Sequence, residues 1–153
     1  MFLLVVTTEP RLSRSVIREI AAMTRQQAHP LGRLHALWVL SGWQALEEGI
    51  LRAALEDSHP GVVENAILLA EPRLPGNATL RQTVEGLVTR HPSARVRWTA
   101  VLALGGATSP TAVEWVSEYL RRDGGNRWAR LAALSSLPDG ELLVLGRLLE
   151  GGA

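Results

Sequence analysis

The feature that most restricts this chain is that it repeats. GRLHALWVL, Gly32 to Leu40, returns as ARLAALSSL from Ala129 to Leu137, with Arg, Leu, Ala, Leu and Leu in the same places. Two further copies lie between them, GVVENAILLAE from Gly61 and ARVRWTAVLALGGA from Ala94. Aligned on their shared alanine, the copies sit at Ala36, Ala66, Ala100 and Ala133, in steps of 30, 34 and 33 residues. Self-similarity at that period is the mark of stacked supersecondary units. None of them buries its apolar face alone, so neighbours must share one continuous core.

Apolar residues at helical spacing, with proline and glycine between them, divide the chain into nine helices and no strand. The first spans 11–27, with Val16, Ile17, Ile20 and Ala21 on one face. His29-Pro30, His59-Pro60 and His91-Pro92 are read as equivalent turns, because the residue before proline is pushed out of the α region. Gly42 is expected to end its helix in a left-handed C-cap, and EPRLPG, 71–76, to be a loop. Asn77 is a good N-cap, and Ser109-Pro110 places serine at N-cap and proline at N1. The ninth helix, 141–150, is the first half of a fifth unit. Its leucines call for cover by a partner, a second copy of the chain, or further chain.

The expected architecture is an all-α, right-handed superhelix of about four and a half helix pairs. A repeat domain covers 11–153 after an apolar segment, 1–10, and the inner helices lie near 31–41, 61–71, 94–104 and 128–137.

Composition narrows the function classes. A net charge of +1 gives no general pull toward nucleic acid or anionic membrane. With no cysteine, disulfides, thiolate metal sites, c-type haem attachment and a cysteine nucleophile are excluded within these residues. The longest apolar run at the start, Phe2 to Val6, is too short for the core of a signal peptide. No run approaches the roughly 18 residues of a membrane span. The compartment stays open. No Gly-rich phosphate loop, nucleophile elbow or HExxH occurs. Glu47-Glu48 and Glu56-Asp57 are paired carboxylates on a solvated helix face. No catalytic residue, cofactor or metal site is therefore assigned.

VRWTAVLALG, Val96 to Gly105, resembles the inner-helix pattern of HEAT repeats: Val-Arg, then alanine, then Ala-Leu-Gly. The units look like HEAT repeats of the short bacterial kind also seen in the phycobilin-lyase-like group. RLHALWVL (33–40) and VVENAILLAEPRL (62–74) are similar to HEAT segments of large bacterial proteins. Those proteins join a sugar-dehydrogenase-like propeller, HEAT repeats and a c-type cytochrome domain. The resemblance covers nearly all of the chain after residue 10 and implies a scaffold. It implies no redox activity, because neither haem-attachment motif nor propeller is present. It leaves two addresses, cytoplasmic for a chain standing alone and exported for a piece of such a multidomain protein. Val63 departs from the family pattern, which has arginine at that place.

At about 100° of turn per residue, the repeat alanine and its neighbours four before and three and four after form the core face. Positions two before and two after point away. They hold Leu34, Glu64, Trp98 and Leu131, then Trp38, Leu68, Leu102 and Ser135. In a HEAT solenoid the inner helices line the concave surface, so this apolar row is expected to face the groove. Leu34, Trp38, Leu68, Trp98, Leu102 and Leu131 become the candidate partner-binding residues, since a large exposed apolar patch marks a contact site. The rival reading wedges the tryptophans between the two helix layers. Trp43, Trp115 and Trp128 are assigned to packing.

His35, Asn65 and Thr99 form a polar row beside the groove, suited to bonding between adjacent inner helices or to a ligand. Arg33, Arg97 and Arg130 form a ladder, read as structural pairing with turn carboxylates such as Asp57 and Asp123, or as caps on carbonyls. Arg11, Arg14, Arg18 and Arg25 give the first helix a basic, solvated face. The histidine turns cannot converge on one metal, because stacked helices lie about 8 to 10 Å apart and zinc ligands about 2 Å from the ion.

The expected function is a non-enzymatic interaction scaffold. Its partner is a protein or the remainder of a larger chain, and self-association through the last helix is a further option. Two alternatives come from resemblance: a HEAT-like DNA glycosylase or nucleic-acid binder, and a bilin-lyase-like chaperone for a tetrapyrrole. The low charge and the presence of Glu64 in the groove row stand against nucleic acid.

Overall fold

A computed structural model describes residues 13–26, 28–105, 111–137 and 140–150. Among these residues are nine α-helices, one 3-10 helix and no strand. The outer helices are α1 (Arg14–Met23), α3 (Glu48–Leu55), α5 (Ala78–Arg90), α7 (Ala112–Asp123) and α9 (Glu141–Glu150). The inner helices are α2 (Pro30–Gly42), α4 (Pro60–Ala70), α6 (Ala94–Leu104) and α8 (Arg127–Ser136). Inner helices contact one another in chain order, as do α3, α5, α7 and α9, and α1, α3, α5 and α7 each pack on the inner helix that follows. This is a two-layer helical solenoid. The apolar segment 1–10, Gly106, the Ser109-Pro110 start and the Pro138-Asp139 turn lie outside the described residues.

The repeat alanines explain the layering. Ala36, Ala66, Ala100 and Ala133 are all buried, small enough to let the two layers meet. One position on, Leu37, Ile67 and Val101 are fully buried, while Leu134 is 53% exposed. The difference follows from stacking. α4, α6 and α8 cover the helix before them, and α8 has no inner successor among the described residues.

Helix ends follow local chemistry, with three departures from expectation. Pro30 and Pro60 open α2 and α4 at N1 with histidine before them, but α6 opens after Ser93. His91 thus lies two residues ahead of the place that His29 and His59 occupy. His59 and His91 each accept a backbone N–H through Nδ1, from Gly61 at 3.2 Å and Ser93 at 3.1 Å. His29 makes no such cap.

The left-handed residue after α2 is Gln44, at φ 55°, and not Gly42, which closes the helix in ordinary geometry. Ala45 N–H donates to Leu40 O at 2.8 Å and Gln44 N–H to Ser41 O at 3.0 Å. These are the paired bonds of a Schellman ending. The stretch read as a loop is a 3-10 helix, Glu71–Gly76, which carries Leu74 fully into the core. Its two prolines hold φ near the value that such a turn needs. Asn77 caps α5 as expected, its Oδ1 accepting Leu80 N–H at 2.9 Å.

Candidate functional site

Two rungs of the arginine ladder are internal braces. Arg33 and Arg97 are buried. Arg33 donates from Nε and Nη2 to the two carboxylate oxygens of Asp57, and from Nη1 to Gln26 O at 2.9 Å. Arg97 repeats the pattern on Asp123, at 2.7 Å from Nε, with Nη1 on the carbonyls of His91 and Pro92 at 2.8 Å. Each guanidinium ties the turn ahead of its inner helix to the end of the next outer helix. The planar fork of arginine suits this bidentate role. Arg130 sits exposed at the open end and bonds Gly124 O at 2.7 Å. The missing rung, Val63, is fully buried.

The hydrogen bond to Asp57 raises the Arg33 pKa above its ordinary value, against the opposing effect of burial. Burial pushes the Asp57 carboxyl up. The hydrogen bonds it accepts from Arg33 and from His59 N–H outweigh that, and hold it below the usual carboxylate value.

Trp38, Leu68, Trp98, Leu102 and Leu131 are between 40 and 49% exposed, one or two on each inner helix. Their helical phase turns them away from the buried alanines, so none is wedged between the layers. Leu34 departs from the row: it is half-buried and packs on the core. Trp38 donates its indole N–H to Asn65 Oδ1 at 2.8 Å, and Asn65 donates onward to Gly61 O at 2.8 Å. That bond joins α2 to α4. The rest of the polar row does not continue it, because Thr99 bonds Arg95 O within its own helix and His35 is exposed. Between α4 and α6 the link is instead Arg95 Nη2 to Glu64, 2.9 Å, with the arginine largely in solvent. An exposed pair of that kind contributes little.

Only one of the three packing tryptophans is buried, Trp115. Trp43 is exposed, and Trp128 is 61% exposed with the Arg127 guanidinium 5.0 Å over its ring. Trp128 stands on the first turn of α8. With Trp98 it lines a cleft of about 510 Å³ between the starts of α6 and α8, closed below by Tyr119 and Asp123. Burial, with Asp123 adding to it, pushes the Tyr119 hydroxyl up to about 12, so a neutral phenol lies there beside the Asp123 carboxylate that Arg97 holds. Sequence periodicity missed this cleft because Trp98 and Trp128 hold different places in their repeats.

Among the described residues, no group of three or more His, Asp or Glu is placed to hold a metal, and no helix is long and apolar enough to cross a membrane. Of the paired carboxylates, Glu48 accepts from Asn77 at 2.9 Å and Asp57 is held by Arg33.

A family model described as HEAT repeats matches residues 51–138, from α3 to the end of α8. No curated protein and no solved structure matches the chain.

Proposed function

Because the chain belongs to the HEAT-repeat family, we propose that it is a non-enzymatic scaffold that binds a protein partner on the exposed face of its inner helices. HEAT repeats generally serve protein interaction, mostly without catalysis. The observation that carries the finer reading is the row Trp38, Leu68, Trp98, Leu102 and Leu131. Five large apolar side chains stand partly in solvent on successive inner helices. Apolar patches of this kind on a water-facing surface are contact sites. Tryptophan is also the side chain most enriched among residues that dominate binding energy.

The partner is a segment that brings apolar side chains to this row and seats one or two of them in the cleft between Trp98 and Trp128. Two of the three ladder arginines, Arg33 and Arg97, are buried in ion pairs and so offer nothing to a nucleic-acid phosphate backbone.

The test is selection from a displayed peptide library on the parent chain, followed by affinity measurements on variants. Selected peptides should lose roughly tenfold or more on Trp98→Ser and on Trp128→Ser, the scale of a hot-spot residue. They should bind Leu31→Ser, altered on another exposed apolar residue, unchanged. Peptides indifferent to both tryptophans would remove the groove reading, as would unfolding of the chain by Trp98→Ser.

A further inference from the structure

The cleft between Trp98 and Trp128 has a charge as well as a shape. Its volume of about 510 Å³ is that of a ligand site. The carboxylate that lines it, Asp123, is already taken by the bidentate pair with Arg97. Glu64, on the neighbouring inner helix, is taken by Arg95. The charge that reaches solvent at the rim is therefore that of the arginines.

Arg95 on α6 keeps 83% of its side chain in solvent and uses only Nη2 on Glu64, so the rest of its fork is turned to water. Arg127 on α8 is exposed, with its guanidinium 5.0 Å over the Trp128 ring. No carboxylate pairs with it among the described residues. A guanidinium stacked on an indole keeps its edge N–H groups for a planar anion. Both helices begin at the cleft, so their positive dipole ends add to the same sign.

This placement restricts the partner. An apolar segment that covers Trp128 also covers the guanidinium lying on it. Taking that charge out of water without a counter-ion is costly, and a carboxylate in fork-to-fork contact offsets the cost. A phosphate backbone would also meet the arginines, but it brings nothing apolar to Leu68, Leu102 and Leu131, which continue the row. Its affinity grows with a long track of cations, and the lining of this cleft supplies only Arg95.

We propose that the cleft selects an acidic segment of a protein partner. An apolar or aromatic side chain enters between Trp98 and Trp128, and a neighbouring Asp or Glu of the segment meets Arg127, with Arg95 taking a second. The proposal rests on the groove reading and adds what the partner must carry.

A displayed peptide library tests it, with a fixed tryptophan or leucine flanked by positions that offer Asp or Glu, Ser or Asn, and Lys or Arg in equal shares. Sequences selected on the parent chain that depend on Trp98 and Trp128 should be enriched in Asp and Glu. Synthetic peptides of those sequences should bind Arg127→Ser and Arg95→Ser about threefold or more weakly. The loss should lie mainly in slower association, and affinity should fall as sodium chloride is raised. Both arginines are exposed, so the helical circular-dichroism signal should not change. Selection on Arg127→Glu should turn the flanking positions toward Lys and Arg. Tryptophan-dependent peptides with neutral or basic flanks would overturn the acidic partner and leave the scaffold reading standing, as would affinities that ignore salt and both arginines. Peptides indifferent to the tryptophans would remove both readings. Tighter binding of single-stranded oligothymidylate through the same two tryptophans would overturn the proposal in favour of nucleic acid.

Discussion

Arg33 and Asp57 meet across the first two helix pairs in a bidentate pair, with Nε and Nη2 each 2.7 Å from a carboxylate oxygen. Both side chains are almost wholly removed from solvent. Removing one partner of such a pair leaves the other charge buried without its counter-ion. Asp57→Ala should therefore cost about 3–5 kcal/mol, and the double change Arg33→Met with Asp57→Ala should cost less than the single one. Urea unfolding at neutral pH measures both.

The same pair makes stability fall in acid. Asp57 has a lowered pKa in the fold, so its contribution is complete above the unfolded value of about 3.9. As pH drops through that value the unfolded chain takes up the proton first, and stability declines until folded Asp57 is protonated too. His91 adds an earlier step. Burial, with Arg97 nearby, lowers its pKa, so the folded state resists protonation and stability declines below about pH 6.5. The urea midpoint should be flat from neutrality to about pH 9, below the ordinary tyrosine value, and fall in two stages as the solution is acidified. Asp57→Asn should lose the stage near pH 4 and keep the first, and an unchanged acid profile would refute the assignment.

Val63 occupies the rung where its neighbours have arginine. The stretch 88–93, the counterpart of those that supply Asp57 and Asp123, contains no carboxylate. Val63→Arg, although it restores the repeat pattern, should bury an unpaired charge in a fully buried site. The expected cost is at least about 3 kcal/mol, read as a lowered thermal midpoint.

Gln44 holds a left-handed conformation at φ 55°, where glycine has no Cβ penalty. Gln44→Gly should stabilise the chain by roughly 0.5–1 kcal/mol, part of the relief being offset by the greater freedom of glycine when unfolded. Gly42→Ala, at an ordinary helical residue with nothing within 4 Å of its Cβ, should not destabilise it. The opposite order would mean that the turn is placed differently.

Trp115 is buried and Trp98 is not. Trp115→Ala should cost about 3–5 kcal/mol. Trp98→Ser should cost clearly less, because much of the indole faces water in the folded chain. Equal losses in denaturant unfolding would place Trp98 in the core.

Much of the fold was legible in one line of sequence. The register of the four alanines located all four inner helices, and 94–104 and 141–150 match the observed helices residue for residue. The pairing of Arg33 with Asp57 and of Arg97 with Asp123 was also readable, because a charge recurring beside the core face needs a partner in the next turn. What went astray was local backbone geometry. Gln44 rather than Gly42 turned left-handed, and Glu71–Gly76 wound into a 3-10 helix because burying Leu74 outweighed its loop-like composition.

By itself the sequence determined the repeat, the helix period and the core face, since these follow from spacing along one chain. Only the tertiary structure decided which equivalent positions are covered. Leu134 is exposed where Val101 is buried, Leu34 is half-buried where Trp38 reaches solvent, and Trp128 joins Trp98 across a cleft. A pattern that repeats along the chain says what each helix offers its neighbours. Burial depends on whether a neighbour is there to take the offer, and that is settled in three dimensions, at the open end of the stack and between its inner helices.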